Sequence, residues 1–422
     1  RAQLGIATGS AYPQTQVASG DATYVSPPEN AGVDSGYWSY GLGASISWEL
    51  DFWGRYRRGI ESAEAAFQAS IAAYDQAVVL LTAAVVETYV VIRTLEEQLR
   101  IAHENLKIQQ RSFEITEVLY RNGADSELDM LQANTLLLAT QATIPALETS
   151  LRQAGNAMAA LLGELPGNIE TLWAEPAGIP ELPAEVAIGF PADMLRRRPD
   201  VRQAELLAMA QNAQIGLAQA DLYPSFSLTG SIGLSAGGPG DSNFGDLFSG
   251  DALAISVGPS FVWPFLNYGR IKNNVRVQDA RLQQALVGYR EAVLQAAREA
   301  EDSIAAYTGA NEQARILAET VASAQRANEI STLRYQEGFS DYQRVLDSQQ
   351  ALFTQQQRYI TSRGDAVRSL VALYKALGGG WEGRSGMPYL DAETLNLMQD
   401  RTDWGDMIEA GYPDSAGNTG QD

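Results

Sequence analysis

The chain has 422 residues and carries 30 basic against 51 acidic side chains, a formal net charge of −21. That balance excludes a nucleic-acid partner, because phosphate binding is driven by Lys and Arg, and it fits either an acidic soluble surface or a conduit that favours cations. With no cysteine and one histidine, His103, the chain cannot assemble Cys-His zinc sites, thiol nucleophiles or Ser-His-Asp triads. No catalytic residue, metal site or cofactor is expected, and His103, in Ala102-His103-Glu104-Asn105, reads as a surface residue.

In chain order, residues 1–11 predict a helix that is the remainder of a longer one. Tyr12-Pro13 matches Tyr223-Pro224, which aligns Arg1 with Asn212 inside the helical run Asp200–Leu222. Any signal peptide or lipid-carrying cysteine is expected before Arg1. Residues 12–53 predict two strands. Trp38, Tyr40, Leu42, Ala44, Ile46, Trp48 and Leu50 alternate with small or polar residues, while the partner strand, 14–25, is less apolar. Strands of about 10 residues with one apolar face, one small polar face and aromatics near their ends have the period of transmembrane β-barrels; a sandwich strand on a soluble core is the plainer alternative.

Residues 54–163 predict a long helical hairpin. Neither glycine nor proline occurs between Gly59 and Gly123, and a helix over that span runs about 95 Å. Its apolar residues step by four and three: Phe67, Ile71, Tyr74, Val78, Leu81, Val85, Ile92, Leu95, Leu99 and Leu106, with Thr88 and Ala102 completing the seam. Such a heptad seam needs partner helices, and a dimeric coiled coil would also satisfy it. The apolar run Ala77–Val86 stops at Glu87, about half the length of a spanning helix, so no transmembrane helix is expected.

An inter-repeat segment, 164–198, follows, and then the pattern begins again. Residues 199–222 predict a helix, 223–264 two strands and 265–378 a second hairpin; 379–422 form a C-terminal segment and an acidic tail. The second copy keeps one register with the first. Gly123 and Gly338, Trp48 and Trp263, and Gly163 and Gly378 are each 215 residues apart. A repeat of that regularity means two copies of one structural unit. Four strands cannot close on themselves, and lipid tolerates no open edge, so several chains must contribute; three would give twelve strands. The segments 27–32 and 236–243 would then be external loops.

The stretches Gly189-Phe190-Pro191-Ala192-Asp193-Met194-Leu195-Arg196-Arg197-Arg198-Pro199-Asp200, Ala220-Asp221-Leu222-Tyr223-Pro224-Ser225-Phe226-Ser227-Leu228, Trp48-Glu49-Leu50-Asp51-Phe52-Trp53-Gly54-Arg55 and Leu373-Tyr374-Lys375-Ala376-Leu377-Gly378-Gly379-Gly380-Trp381 carry a family likeness. The chain resembles TolC-like outer-membrane efflux proteins, on the NodT-like lipoprotein branch that serves RND pumps. The resemblance implies a mixed α and β membrane protein: a homotrimeric, twelve-stranded outer-membrane β-barrel, four strands per chain, continuous with a twelve-helix periplasmic α-barrel. Residues 164–198 and the tail would form an equatorial belt.

The resemblance also implies a Gram-negative outer-membrane location, a periplasmic adaptor (membrane fusion protein) and an inner-membrane RND pump as partners, and an exit duct for small molecules or drugs. A duct for secreted polypeptides and a soluble coiled-coil scaffold are the alternatives. At the helical turns it implies a gate of Asp129, Tyr335, Arg344 and Asp347, with Tyr335 bonding across to Asp129. Arg344 stands where some members carry a second aspartate and Ser340 where some carry arginine, so the closure network is expected to be rewired, one option being an ion pair from Arg344 to an acid. Gly123, Ala124, Gly338 and Phe339 match the tips where an adaptor docks.

Overall fold

The computed structural model describes residues 1–26, 36–167, 178–183, 197–238, 243–381 and 387–408. The expected external loop 27–32, residues 239–242 of the second loop, most of the inter-repeat segment, the motif residues 189–196 and the tail beyond 408 lie outside them. The elements are α1 (Ala2–Gly9), β1 (Thr15–Val25), β2 (Tyr37–Leu50), α2 (Arg55–Arg121), α3 (Glu127–Leu162), α4 (Pro199–Ala220), β3 (Ser225–Ala236), β4 (Leu253–Val262), α5 (Arg270–Gln336), α6 (Tyr342–Ala376) and α7 (Ala392–Arg401). They divide into one compact unit of 1–73, 202–292 and 386–422 and another of 74–201 and 293–385.

In the first unit the four strands form one antiparallel sheet in the order β1-β2-β3-β4. Its register pairs Thr15 with Ser47, Tyr40 with Ala236 and Ser225 with Val262. Strand side chains alternate between faces, so one face collects Trp38, Leu42, Ile46, Leu228, Ile232, Ile255 and Phe261, all exposed in the single chain. The opposite face is Ser, Gly, Thr and Ala almost throughout. The repeat extends to hydrogen bonds: the Trp48 indole donates to the Ala11 carbonyl at 3.1 Å, and Trp263 donates to Leu222 at 3.2 Å. Between the repeats, Trp53 stacks on Tyr223 at 4.5 Å and donates to the Pro224 carbonyl at 2.8 Å.

The second unit is helical. α2 and α5 have 67 residues each, about 100 Å of helix, and both also contribute residues to the first unit. α3 begins at an N-cap, Ser126, whose hydroxyl accepts from the Asp129 backbone N–H at 3.1 Å, and ends at Gly163 with φ 76°. Only glycine reaches that left-handed turn without strain. Val90 and Ile101 of α2 and Ile360 and Val367 of α6 bury one core, onto which Ile179 folds.

One expectation requires correction. α2 contains an eighteen-residue window of mean hydropathy 1.8, long and apolar enough by composition to cross a membrane; a window average absorbs the single Glu87 at which the apolar run was ended. The seam itself is used only in part within the chain. In α5 its members Ala296, Ala314 and Leu317 are buried within the chain. In α2 its members Ile92 and Ala102 are buried too, while a second buried stripe lies beside the seam, through Ser62, Ala65, Ala69, Ala72, Asp75, Val79 and Ala83, and leaves Leu81 49% exposed. Small residues line that stripe because helices approach closely there, so a larger seam residue of that stretch such as Leu81 remains available to neighbours.

Candidate functional site

Both helical turns are built from glycine-terminated helix ends. Gly123 and Gly338 have φ of 70° and 76°. Ala124 N–H donates to Leu119 and Phe339 N–H to Arg334, at 2.9 and 2.8 Å, which closes each helix end in the manner of a Schellman turn. A side chain on either glycine would meet no atom within 4 Å, so backbone conformation alone selects glycine. The turns expose Ala124 and a Phe339 ring that is 72% accessible.

Next to the turns, Tyr342, the first residue of α6, is 2% exposed and packs with Ala133 of α3 and Val345, with Phe113, Tyr335 and Leu346 around them. Tyr335 meets Tyr342 edge to face at 5.4 Å. That contact points the Tyr335 hydroxyl at the start of α3, where it donates to Asp125 Oδ2. Asp125 also accepts from the Ser126 N–H at 3.0 Å, while the Ser126 hydroxyl donates to Asp129 at 2.6 Å.

Burial raises the Tyr335 pKa first, with the Asp125 hydrogen bond and charge adding to it. Tyr342 is pushed up to about 12 by burial, then by Asp129 and Asp125. Asp129 is raised above its ordinary value, by burial foremost and then by Asp125, against the lowering bond from Ser126. Two carboxylates sharing one cap disfavour each other's charge, while both tyrosines remain neutral donors at physiological pH.

Of the four expected gate residues, the structure brings Tyr335 and Asp129 into one cluster but gives Tyr335 a different acceptor. That acceptor is Asp125, which the sequence reading missed; its signal was its place just before the N-cap in Asp125-Ser126-Glu127-Leu128-Asp129. Arg344 lies 3.9 Å from Asp341, with both side chains about three-quarters exposed (76% and 75%), a separation worth little in water. Asp347 is exposed and accepts from Gln343 at 2.8 Å. Neither joins the cluster within one chain.

Away from the turns, α2 and α6 face each other through polar pairs at heptad spacing on α2. Gln98 donates to Thr361 at 2.9 Å, Asn105 to Gln356 at 2.8 Å, and Ser112 accepts from Gln349 at 2.7 Å. Gln109, 1% exposed, has neither amide atom paired. Further along, Arg198 is 5% exposed. It donates to both Asp200 oxygens at 3.1 and 2.7 Å, to Glu299 at 2.7 Å and to the Ala376 carbonyl at 2.9 Å, tying α4, α5 and α6 together. Burial opposes charge on Asp200 and Glu299, but the Arg198 bonds outweigh it and hold both below the usual carboxylate range.

The profile of the outer membrane efflux protein family matches residues 1–164 and 190–379, most of both repeats. The chain belongs to the outer membrane efflux protein family. It is 32% identical over 337 residues to nodulation protein T of Rhizobium leguminosarum bv. trifolii, covering 80% of this chain and 71% of that protein. It is 32% identical over 373 residues to the toluene efflux pump outer membrane protein TtgI of Pseudomonas putida, covering 86% of this chain and 76% of that one. Among solved structures, the outer-membrane channel OprN superposes with a TM-score of 0.85 at 31% identity, covering 90% of this chain and 85% of that chain.

The protein is therefore an efflux channel of the Gram-negative outer membrane, with the mixed α and β fold of that family. A membrane β-barrel turns an apolar face to lipid and a polar face to its lumen, and the sheet carries one face of each kind.

Proposed function

We propose that this efflux protein works as a homotrimer whose three sheets close one twelve-stranded barrel, and that it is a passive, gated exit duct with no chemistry of its own. Support comes from β1 and β4, each paired on one side only within the chain, because an unpaired edge cannot stand in hydrocarbon. An inner-membrane RND pump supplies the energy, and a periplasmic adaptor docks on the turns at Gly123, Ala124, Gly338 and Phe339. An accessible phenylalanine at a hairpin tip is suited to such a contact. Small molecules are the cargo, in keeping with the solvent named for the TtgI system.

The gate is the cluster of Asp125, Asp129, Tyr335 and Tyr342, with Arg344 and Asp347 on the exposed side of α6. The observation that carries this reading is the Tyr335 to Asp125 hydrogen bond, which latches the second hairpin to the first. Dilation breaks the latch, and adaptor contacts replace it, a bias on a two-state element. Single-channel recording of the purified protein in planar bilayers tests it. Tyr335→Phe together with Asp125→Asn should raise conductance several-fold over wild type; unchanged conductance would refute the latch.

A further inference from the structure

The four strands contain no Lys, Arg or His and only two carboxylates, Asp21 and Glu49. Both fall on the small polar face. In the ladder Asp21 pairs with Gly41, and Gly41 with Ser235, so Asp21 shares its face with Gly43, Ser45, Ser231 and Gly258. Glu49 is compensated: Arg55 lies 3.5 Å from it, and the Tyr56 hydroxyl donates to it at 3.2 Å. Asp21 is exposed, and no described residue hydrogen-bonds or pairs with its carboxylate. A Cβ on Gly41 would collide with that carboxylate, so the glycine gives it a place flat against the wall.

We infer that Asp21 sets the charge selectivity of the barrel lumen, as a ring of three uncompensated carboxylates that admits cations over anions. The inference rests on the homotrimeric closure proposed above. It concerns the barrel, and the ring lies about 13 Å along β1 from Val25, where the strand enters its loop.

Geometry makes the ring effective. Twelve strands about 4.8 Å apart and tilted about 40° close a wall of about 12 Å radius, which puts the carboxylates about 8–9 Å from the axis. The screening length is about 10 Å at 0.1 M salt and about 3 Å at 1 M. Three charges at that distance enrich a monovalent cation on the axis about threefold in dilute salt and negligibly in concentrated salt. The wall between Asp21 and Glu49 offers only hydroxyls, glycines and small apolar groups, which supply no competing charge.

The test is the reversal potential of purified wild type, Asp21→Asn and Asp21→Lys channels in planar bilayers under a KCl gradient. Near 0.1 M salt the wild type should prefer potassium to chloride, Asp21→Asn should lower that ratio about two- to threefold, and Asp21→Lys should favour chloride. All three should converge near 1 M salt. Equal ratios in wild type and Asp21→Asn near 0.1 M overturn the inference.

Should Asp21→Lys fail to assemble, Asp21→Cys gives a second readout, because the chain has no other thiol. A membrane-impermeant cationic thiol reagent should label Asp21→Cys and lower cation preference, whereas Ala22→Cys, on the lipid face, should not react. No labelling of Asp21→Cys overturns the lumenal placement. Wild type that forms no channel under any condition refutes the homotrimeric duct itself.

Discussion

Tyr335 and Asp125 lie 210 residues apart in sequence, yet the hydroxyl of one donates to the carboxylate of the other. The bond joins the end of α5 to the residue before the N-cap of α3, so it reports directly on whether the two turns are together.

That neighbourhood gives the tip a pH response through Asp129. Its pKa is raised in the folded tip. A raised carboxylate pKa contributes stability when the group is protonated, and that contribution is lost as pH rises through the folded value. Asp129 is only partly buried in the single chain, which keeps the effect modest. Open probability in planar bilayers should fall as pH is lowered towards the ordinary carboxylate range, about 4, and Asp129→Asn should flatten the dependence. An equally steep profile in the variant would remove Asp129 from the gate.

Arg198 makes the opposite prediction for acid. Asp200 and Glu299 are held low by it, so their stabilisation is present above the unfolded carboxylate range, about pH 4, and disappears as pH falls through the folded values. Arg198→Ala strands two acids and a carbonyl and should cost about 3–5 kcal/mol in thermal or denaturant unfolding of the detergent-solubilised protein. Arg198→Lys should recover only part of this, because an ammonium cannot bind both Asp200 oxygens in the plane of one fork.

Gln109 is the reverse case. Both atoms of its amide are buried without a partner, so Gln109→Leu should stabilise the helical unit by about 1–2 kcal/mol. Gln349→Leu should stabilise less, since it also deprives Ser112 of its donor. Unfolding midpoints of the two variants decide the matter; a loss of stability in Gln109→Leu would mean that the amide has a partner in the assembled protein.

Gly364 is buried in α6, where a Cβ would collide with the Thr94 hydroxyl of α2. Glycine to alanine in mid-helix is ordinarily favourable, yet here overpacking should make Gly364→Ala cost about 1–3 kcal/mol. The double variant with Thr94→Ala should recover most of it, as measured by thermal unfolding of the same preparation.

The strands were legible because a half-lipid, half-water sheet imposes a strict period of two, and the register of Trp48 against Trp263 is repeated in their hydrogen bonds to Ala11 and Leu222. The long helices were legible from the absence of breakers before Gly123. The buried stripe of α2 was not, because Ala65, Ala69 and Ala72 pack within the chain while the more conspicuous Leu81 does not. Hydrophobicity marks the larger side chains, and close helix approach selects the smaller ones. At the tip, Tyr335 could be singled out by its place before Gly338, but its acceptor depends on how two distant turns dock. No local pattern distinguishes Asp125 from Asp129 for that role.

The two one-sided strands also bear on inheritance. In the proposed homotrimer every junction between subunits joins β1 of one copy to β4 of the next, so one copy damaged at either strand spoils one of the three junctions and leaves the barrel open. If damaged and intact chains were made in equal amounts and mixed freely, only about one trimer in eight would be wholly intact. Alleles altered in β1 or β4 should therefore be dominant over wild type in a cell that carries both.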